Sequence, residues 1–217
     1  MNIGGFLPFS LCDYPGLPAA VVFTQGCNFR CPYCHNVDLI PERAGRLDPS
    51  DTLGRLRKRK DTLGGVVISG GEPTVHGDLA AFCAEVAAIG LRLKLDTNGS
   101  RPDELRALLD ARLLDYVAMD VKAPLSKYAL LSGAPVDVDA IAESIRLLWA
   151  SGIRHEFRTT VVPGLLSEAD IEEIRRLLPR GARYVARRAQ PLRPPWGGGP
   201  LAVTPRHAIG TDSAEIP

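Results

Sequence analysis

Six strand-like stretches, at 19–23, 65–69, 91–95, 116–120, 155–162 and 184–186, punctuate the chain at intervals too long for hairpins. Between them apolar residues recur every three or four positions: Leu79, Phe82, Cys83, Val86; Leu105, Leu108, Leu109; Ile141, Ile145, Leu148, Trp149; Ile171, Ile174, Leu177, Leu178. That spacing lays one apolar stripe along a helix. Gly90 and Gly152 stop two of these segments, and Pro102 opens another. The run Gly65-Val66-Val67-Ile68-Ser69 is β-branched and begins on glycine, so it reads as a buried strand. Strand–helix alternation predicts an α/β fold, a parallel sheet with helices outside. About six units are too few for a closed eight-stranded barrel, so a partial, open β/α barrel is expected.

The remaining stretches fit around that frame. The first eighteen residues are rich in Gly and Pro and carry the turn signal Asp13-Tyr14-Pro15-Gly16, so a short hairpin or edge segment is expected. Residues 124–135 read as a longer loop of mixed character. Residues 1–190 form the expected domain. Residues 191–217 form a Pro/Gly-rich tail, expected to be extended or mobile, with Trp196 pinning it to the body or to a partner.

Composition narrows the function classes. A length of 217 residues suits one domain, and 45% hydrophobic content is ordinary for a globular chain. A net charge of +1 leaves no electrostatic footprint for nucleic acid. The basic run at 55–60 lacks interleaved aromatics and reads as a solvated helix face. No apolar run approaches the roughly twenty residues of a membrane span. The opening Met-Asn-Ile-Gly-Gly lacks the regions of a signal peptide, so the cytoplasm is the expected compartment.

The chemistry gathers first at Cys27, Cys31 and Cys34, in a loop after the first run. Thiolates at this spacing can each reach a different iron of a cubane cluster. Three of them leave the fourth iron open to a substrate or cofactor. Structural zinc usually takes four ligands in two pairs; here His35 directly follows Cys34 and no second pair exists. A disulfide framework suits small secreted chains instead. Cys12 reads as a spare buried thiol, and Cys83 falls on a buried helix face.

Further candidates stand at the C-terminal ends of the other runs, where β/α folds collect their active sites. They are Gly70-Gly71-Glu72, then Asp96 and Thr97, then Asp120 and Lys122, with Arg158 in the fifth run and Gln190 near the sixth. Paired glycines allow backbone to approach a ligand closely. The charged residues beside buried strands need partners or a function, and a plain salt bridge from Asp120 to Lys122 or Arg158 remains open as their explanation.

The C-x3-C-x2-C spacing, with Tyr33 before the third cysteine, resembles the radical S-adenosylmethionine (radical SAM) enzymes. With Asp13-Tyr14-Pro15-Gly16, Phe23-Thr24-Gln25-Gly26-Cys27-Asn28 and Cys34-His35-Asn36, it is similar to the glycyl-radical-enzyme activases, in particular those of anaerobic ribonucleotide reductase. The resemblance spans about residues 5–164 and implies a partial-barrel fold. It implies a [4Fe-4S] cluster on the three cysteines and S-adenosylmethionine on its open iron, cleaved reductively to a 5′-deoxyadenosyl radical. Gly70, Gly71 and Glu72 match the family's methionine-binding loop. Asp96, Thr97 and Asp120 would lie by the cofactor's amino-acid end; in close relatives such residues, with a carbonyl such as that of Ala118, hold a monovalent cation. Lys122 and Arg158 would face its carboxylate or ribose, and Tyr33 its adenine. His35 and Asn36 would hydrogen-bond within the loop.

The implied activity is hydrogen abstraction from a glycine of a large glycyl radical enzyme, with flavodoxin or ferredoxin as reductant. Rival readings are an activase of another glycyl radical enzyme, a peptide-modifying relative, or a small-molecule enzyme such as 7-carboxy-7-deazaguanine synthase. An electron-transfer module without turnover fits three clustered cysteines less well than four. No further cysteine lies between Cys34 and Ser69, which resembles activases of the compact kind.

Overall fold

Period-two alternation along the strands decides this architecture. The computed structural model describes residues 1–189; Gln190 and the expected tail at 191–217, with Trp196, lie outside them. Among the described residues seven strands form one sheet in sequence order. Strand β1 (Ile3–Ser10) pairs antiparallel with β2 (Ala19–Thr24). From β2 onward every neighbour is parallel: β3 (Gly65–Gly70), β4 (Arg92–Thr97), β5 (Tyr116–Asp120), β6 (Arg154–Val161) and β7 (Tyr184–Arg188). The sheet does not close, since β1 and β7 are its two edges. An open partial barrel results, as the sequence predicts.

Helices α1 (Pro49–Arg57), α2 (Leu79–Ile89), α3 (Pro102–Asp110), α5 (Val138–Ser151) and α6 (Glu168–Leu177) connect successive parallel strands. Their apolar stripes meet the outer face of the sheet: Leu79, Phe82, Cys83, Val86, Leu105, Leu108, Ile141, Ile145, Leu148 and Ile174 pack with Ala20, Val22, Val66, Ile68, Leu93, Leu95, Val117, Met119 and Phe157. Burying an aliphatic side chain of this kind contributes about 1.5–3 kcal/mol. Gly90 and Gly152 end α2 and α5 in the left-handed conformation that glycine adopts without cost.

The alternate positions face the inside of the barrel. Tyr14, Ala19, Val21, Val67, Tyr116 and Ala118 make a small second core there. In β4 that face carries Lys94 and Asp96, and in β6 Glu156 and Arg158. The inner face is therefore apolar on one side and ionic on the other.

Three expectations change. The 124–135 stretch holds a 3-10 turn at Leu125–Lys127 and a short helix, α4 (Tyr128–Ser132), because Tyr128 and Leu131 find a fully buried apolar site. Helix α1 ends at Arg57, so only part of the basic 55–60 run is a helix face. Trp149 is 46% exposed and lies edge-on to His155, while Ile141, Ile145 and Leu148 of the same helix are buried. Among the described residues no helix is long and apolar enough to cross a membrane.

Candidate functional site

A cleft of about 150 Å³, open to solvent, lies at the C-terminal ends of the parallel strands. The loop after β2 lines it with Cys27, Cys31, Tyr33, Cys34 and His35, and the loop after β3 with Gly70, Gly71 and Glu72. Asp96 and Thr97 enter from β4, Asp120 and Lys122 from β5, and Arg158 from β6. Every residue expected to hold the cluster or cofactor thus reaches one space. Gln190, expected there too, lies outside the described residues.

The three thiols are half-buried and form no disulfide, and the Phe29 N–H donates a weak hydrogen bond, 3.4 Å, to Cys27 Sγ. Burial pushes Cys27 up to about 12, with the Glu72 carboxylate adding to it. Burial also raises Cys31 and Cys34. Thiols in this state await a cationic centre that would make them thiolates. Among the described residues no three His, Cys, Asp or Glu side chains converge tightly enough for a single metal ion. A cluster needs wider spacing, because each thiolate takes its own iron.

Backbone ties shape the cysteine loop. Gly26 N–H donates to Leu39 O and Cys27 N–H to Ile40 O, closing the loop on itself. The glycine pair after β3 then packs against it. A Cβ on Gly71 would stand 2.0 Å from Gly26 O, and one on Gly70, at φ 112°, would stand 2.4 Å from Thr24 N. The expected reason for these glycines was approach to a ligand. The structure adds a nearer one: approach of backbone to backbone at the root of the cysteine loop.

Glu72 is fully buried, and its carboxylate is committed to protein donors. Oε1 accepts from Thr74 N–H at 3.1 Å, Thr74 Oγ1 at 2.6 Å and Thr97 Oγ1 at 2.7 Å. Oε2 accepts from Asn98 N–H at 2.7 Å. Burial raises its pKa while these hydrogen bonds oppose the rise. Its side chain fastens two loops together.

The charged candidates form a row across three strands. Lys94 Nζ pairs with Asp96 Oδ1. Arg158 Nη1 lies 3.5 Å from Asp96 Oδ2, and its Nε donates to Asp120 Oδ1 at 2.9 Å. Lys122 Nζ donates to Asp120 Oδ2 at 3.0 Å. Burial opposes the charge on Lys122, but Asp120, with Tyr33 and Cys31 behind it, holds its pKa above the ordinary value. Arg158 is likewise buried, and Asp120 and Asp96 keep it charged. The salt bridge left open by the sequence exists, and its members also line the cleft.

Two further ties escaped the sequence reading. Asn98 Nδ2 donates to Asn28 Oδ1 at 2.9 Å, and Asn28 Nδ2 to Ser100 Oγ at 2.7 Å, binding the cysteine loop to the loop after β4. Buried Tyr128 takes the Lys122 N–H at 3.2 Å and sets its ring edge-on to Phe29. Lys94 was also missed; counting by twos from Asp96 along β4 places it on the inner face. The Tyr33 hydroxyl is buried at the cleft wall near the Cys31 thiol, with no oxygen or nitrogen partner among the described residues, which suits a bound ligand.

Comparison with known proteins matches residues 21–178 to the Radical SAM superfamily. A Methanocaldococcus jannaschii protein named as a glycyl-radical enzyme activating enzyme is 34% identical over 196 residues, 87% of this chain and 80% of that protein. The 7-carboxy-7-deazaguanine synthase of Methanopyrus kandleri is 36% identical over 132 residues, 51% of this chain and 52% of that protein. Among solved structures, Streptococcus suis SuiB bound to its precursor peptide SuiA superposes with a TM-score of 0.60 at 18% identity, covering 78% of this chain and 38% of SuiB. SuiB has also been solved with S-adenosylmethionine. At that identity the likeness is one of fold.

Proposed function

The chain belongs to the Radical SAM superfamily, and from that membership we propose that it activates a glycyl radical enzyme, the anaerobic ribonucleotide reductase. The family's cofactors are a [4Fe-4S] cluster and S-adenosylmethionine. The donor set fits them: three free thiols and a buried tyrosine hydroxyl share one cleft with a row of charged side chains. When bound, this pair supplies one-electron cleavage of a sulfonium and hydrogen abstraction from carbon.

The rest falls to the chain's own residues. Cys27, Cys31 and Cys34 would hold three irons. Lys122, a compact point charge, and Arg158, a planar fork, would receive the cofactor's carboxylate or ribose. Asp96 and Asp120 would face its ammonium, and Tyr33 its adenine. Glu72 keeps the loops after β3 and β4 in register beneath it, and the buried ionic row fixes the orientation of its members.

One observation carries the choice of a polypeptide substrate. The activating-enzyme relative aligns over 87% of this chain, whereas the deazaguanine synthase aligns over half. Among the described residues the sheet is also unclosed between β1 and β7, which suits an extended loop from a larger protein. A glycine there suits the reaction, having no side chain to block approach and an α-radical delocalised over two peptide groups. The test is anaerobic incubation of reduced, reconstituted protein with S-adenosylmethionine and the reductase. A doublet glycyl radical resonance is expected on the reductase and absent when its glycine is alanine. Turnover with a pterin-like small molecule and never with a polypeptide would favour the deazaguanine synthase reading instead.

A further inference from the structure

We propose that Lys94 serves as a built-in counter-cation: its ammonium orients Asp96 toward the cleft and makes cofactor binding independent of sodium and potassium. The inference rests on the cofactor reading above, and deepens it by assigning a positioning residue to the amino-acid end of the site.

Lys94 sits mid-strand in β4 and is 2% exposed. Asp96, two residues on and so on the same face, lines the cleft; Lys94 does not, and lies behind it. The ammonium takes Asp96 Oδ1, leaving Oδ2 to Ser69 Oγ at 3.2 Å and Arg158 Nη1 at 3.5 Å. Asp120 is met by Lys122 and Arg158. Asp96 is buried and Asp120 partly so, and Arg158 bridges them; a buried carboxylate needs compensating cations, because an uncompensated buried charge is costly. Here three side chains supply them. An ammonium resembles a potassium ion in size and charge, and Lys94 carries one on a tether that cannot diffuse away. Nothing else in the buried part of β4 explains a lysine there, since its strand neighbours Leu93 and Leu95 face the helices.

The test compares wild type, Lys94→Ala and Lys94→Gln as reconstituted protein in choline, potassium and methylammonium chloride at equal ionic strength. Two quantities are read: the dissociation constant for S-adenosylmethionine, and the melting temperature without it. Wild type should bind equally in all three salts, within about twofold. Lys94→Ala should bind roughly tenfold or more weakly in choline, the order of effect expected on breaking a buried pair. Methylammonium or potassium should restore much of that loss and raise the variant's melting temperature, leaving wild type unmoved. Should Lys94→Ala fail to fold, Lys94→Gln, which keeps most of the volume but no charge, is read for the same loss and rescue. Wild-type binding that collapses in choline, or a Lys94 variant with wild-type affinity there, overturns the proposal. Wild type that binds no S-adenosylmethionine in any salt strikes the cofactor reading instead; the melting comparison, which needs no cofactor, then decides the role of Lys94.

Discussion

The buried carboxylate of Glu72 accepts the backbone N–H of Asn98 at 2.7 Å, so the loop after β3 is latched to the loop after β4. Thr74 and Thr97 share its other oxygen. Glu72→Ala leaves those buried donors unsatisfied, at a cost of about 2 kcal/mol. For a chain of this size the melting temperature should fall by roughly 4–8 °C. Affinity for S-adenosylmethionine should weaken as well, because Thr97 loses its anchor. A variant that melts and binds as wild type would show that the latch is dispensable.

The cysteines separate into two groups. Replacing Cys27, Cys31 or Cys34 by Ala should abolish iron binding. Cys12→Ala and Cys83→Ala should keep about four irons per chain after anaerobic reconstitution. Cys12 is exposed, not buried as its sequence setting suggests, because it lies in the turn between β1 and β2, while Cys83 is buried against the helix side of the sheet. Iron analysis and visible absorption read the result directly; a colourless zinc protein would contradict it.

Asp170 gives a prediction in pH. It closes a reciprocal capping box with Ser167 at the start of α6 and accepts from Lys127 Nζ at 2.8 Å. The Lys127 hydrogen bond, then those from Ser167, lower its pKa from the ordinary 3.8 to about 2. A depressed carboxylate pKa means the stabilisation is present above the unfolded value and is lost as pH falls through the folded one. Wild type should therefore be more stable than Asp170→Asn at neutral pH, with the gap closing between about pH 4 and pH 2. A gap that stays constant across that window would contradict the pairing.

The architecture was legible because its signals are local. Gly90, Gly152 and Pro102 mark helix ends by backbone chemistry alone, and the residues of the cleft cluster because strand ends always do. What stayed hidden depends on tertiary pairing. Lys94 sits in the alternating run Leu91-Arg92-Leu93-Lys94-Leu95, whose charged face is shown to be buried only when Asp96 fixes it on the inside of the barrel. Gly71 shows its constraint only when Gly26 is brought against it. Trp149 follows a helical spacing in sequence, yet its position rotates it out of the stripe that meets the sheet. Tyr128 lay in a stretch without clear periodicity, where one buried aromatic and its hydrogen bonds, rather than a pattern, set the conformation.

The central claim is that this protein takes hydrogen from a glycine of another polypeptide, and the isotope route of that hydrogen tests it most directly. The reductase is prepared with its glycines deuterated at the α-carbon, then incubated anaerobically with reduced protein and S-adenosylmethionine. Mass spectrometry of the nucleoside product should show one deuterium in 5′-deoxyadenosine, in step with radical formed on the reductase. Undeuterated 5′-deoxyadenosine, or deuterium that persists when the reductase's radical-bearing glycine is replaced by alanine, would contradict it.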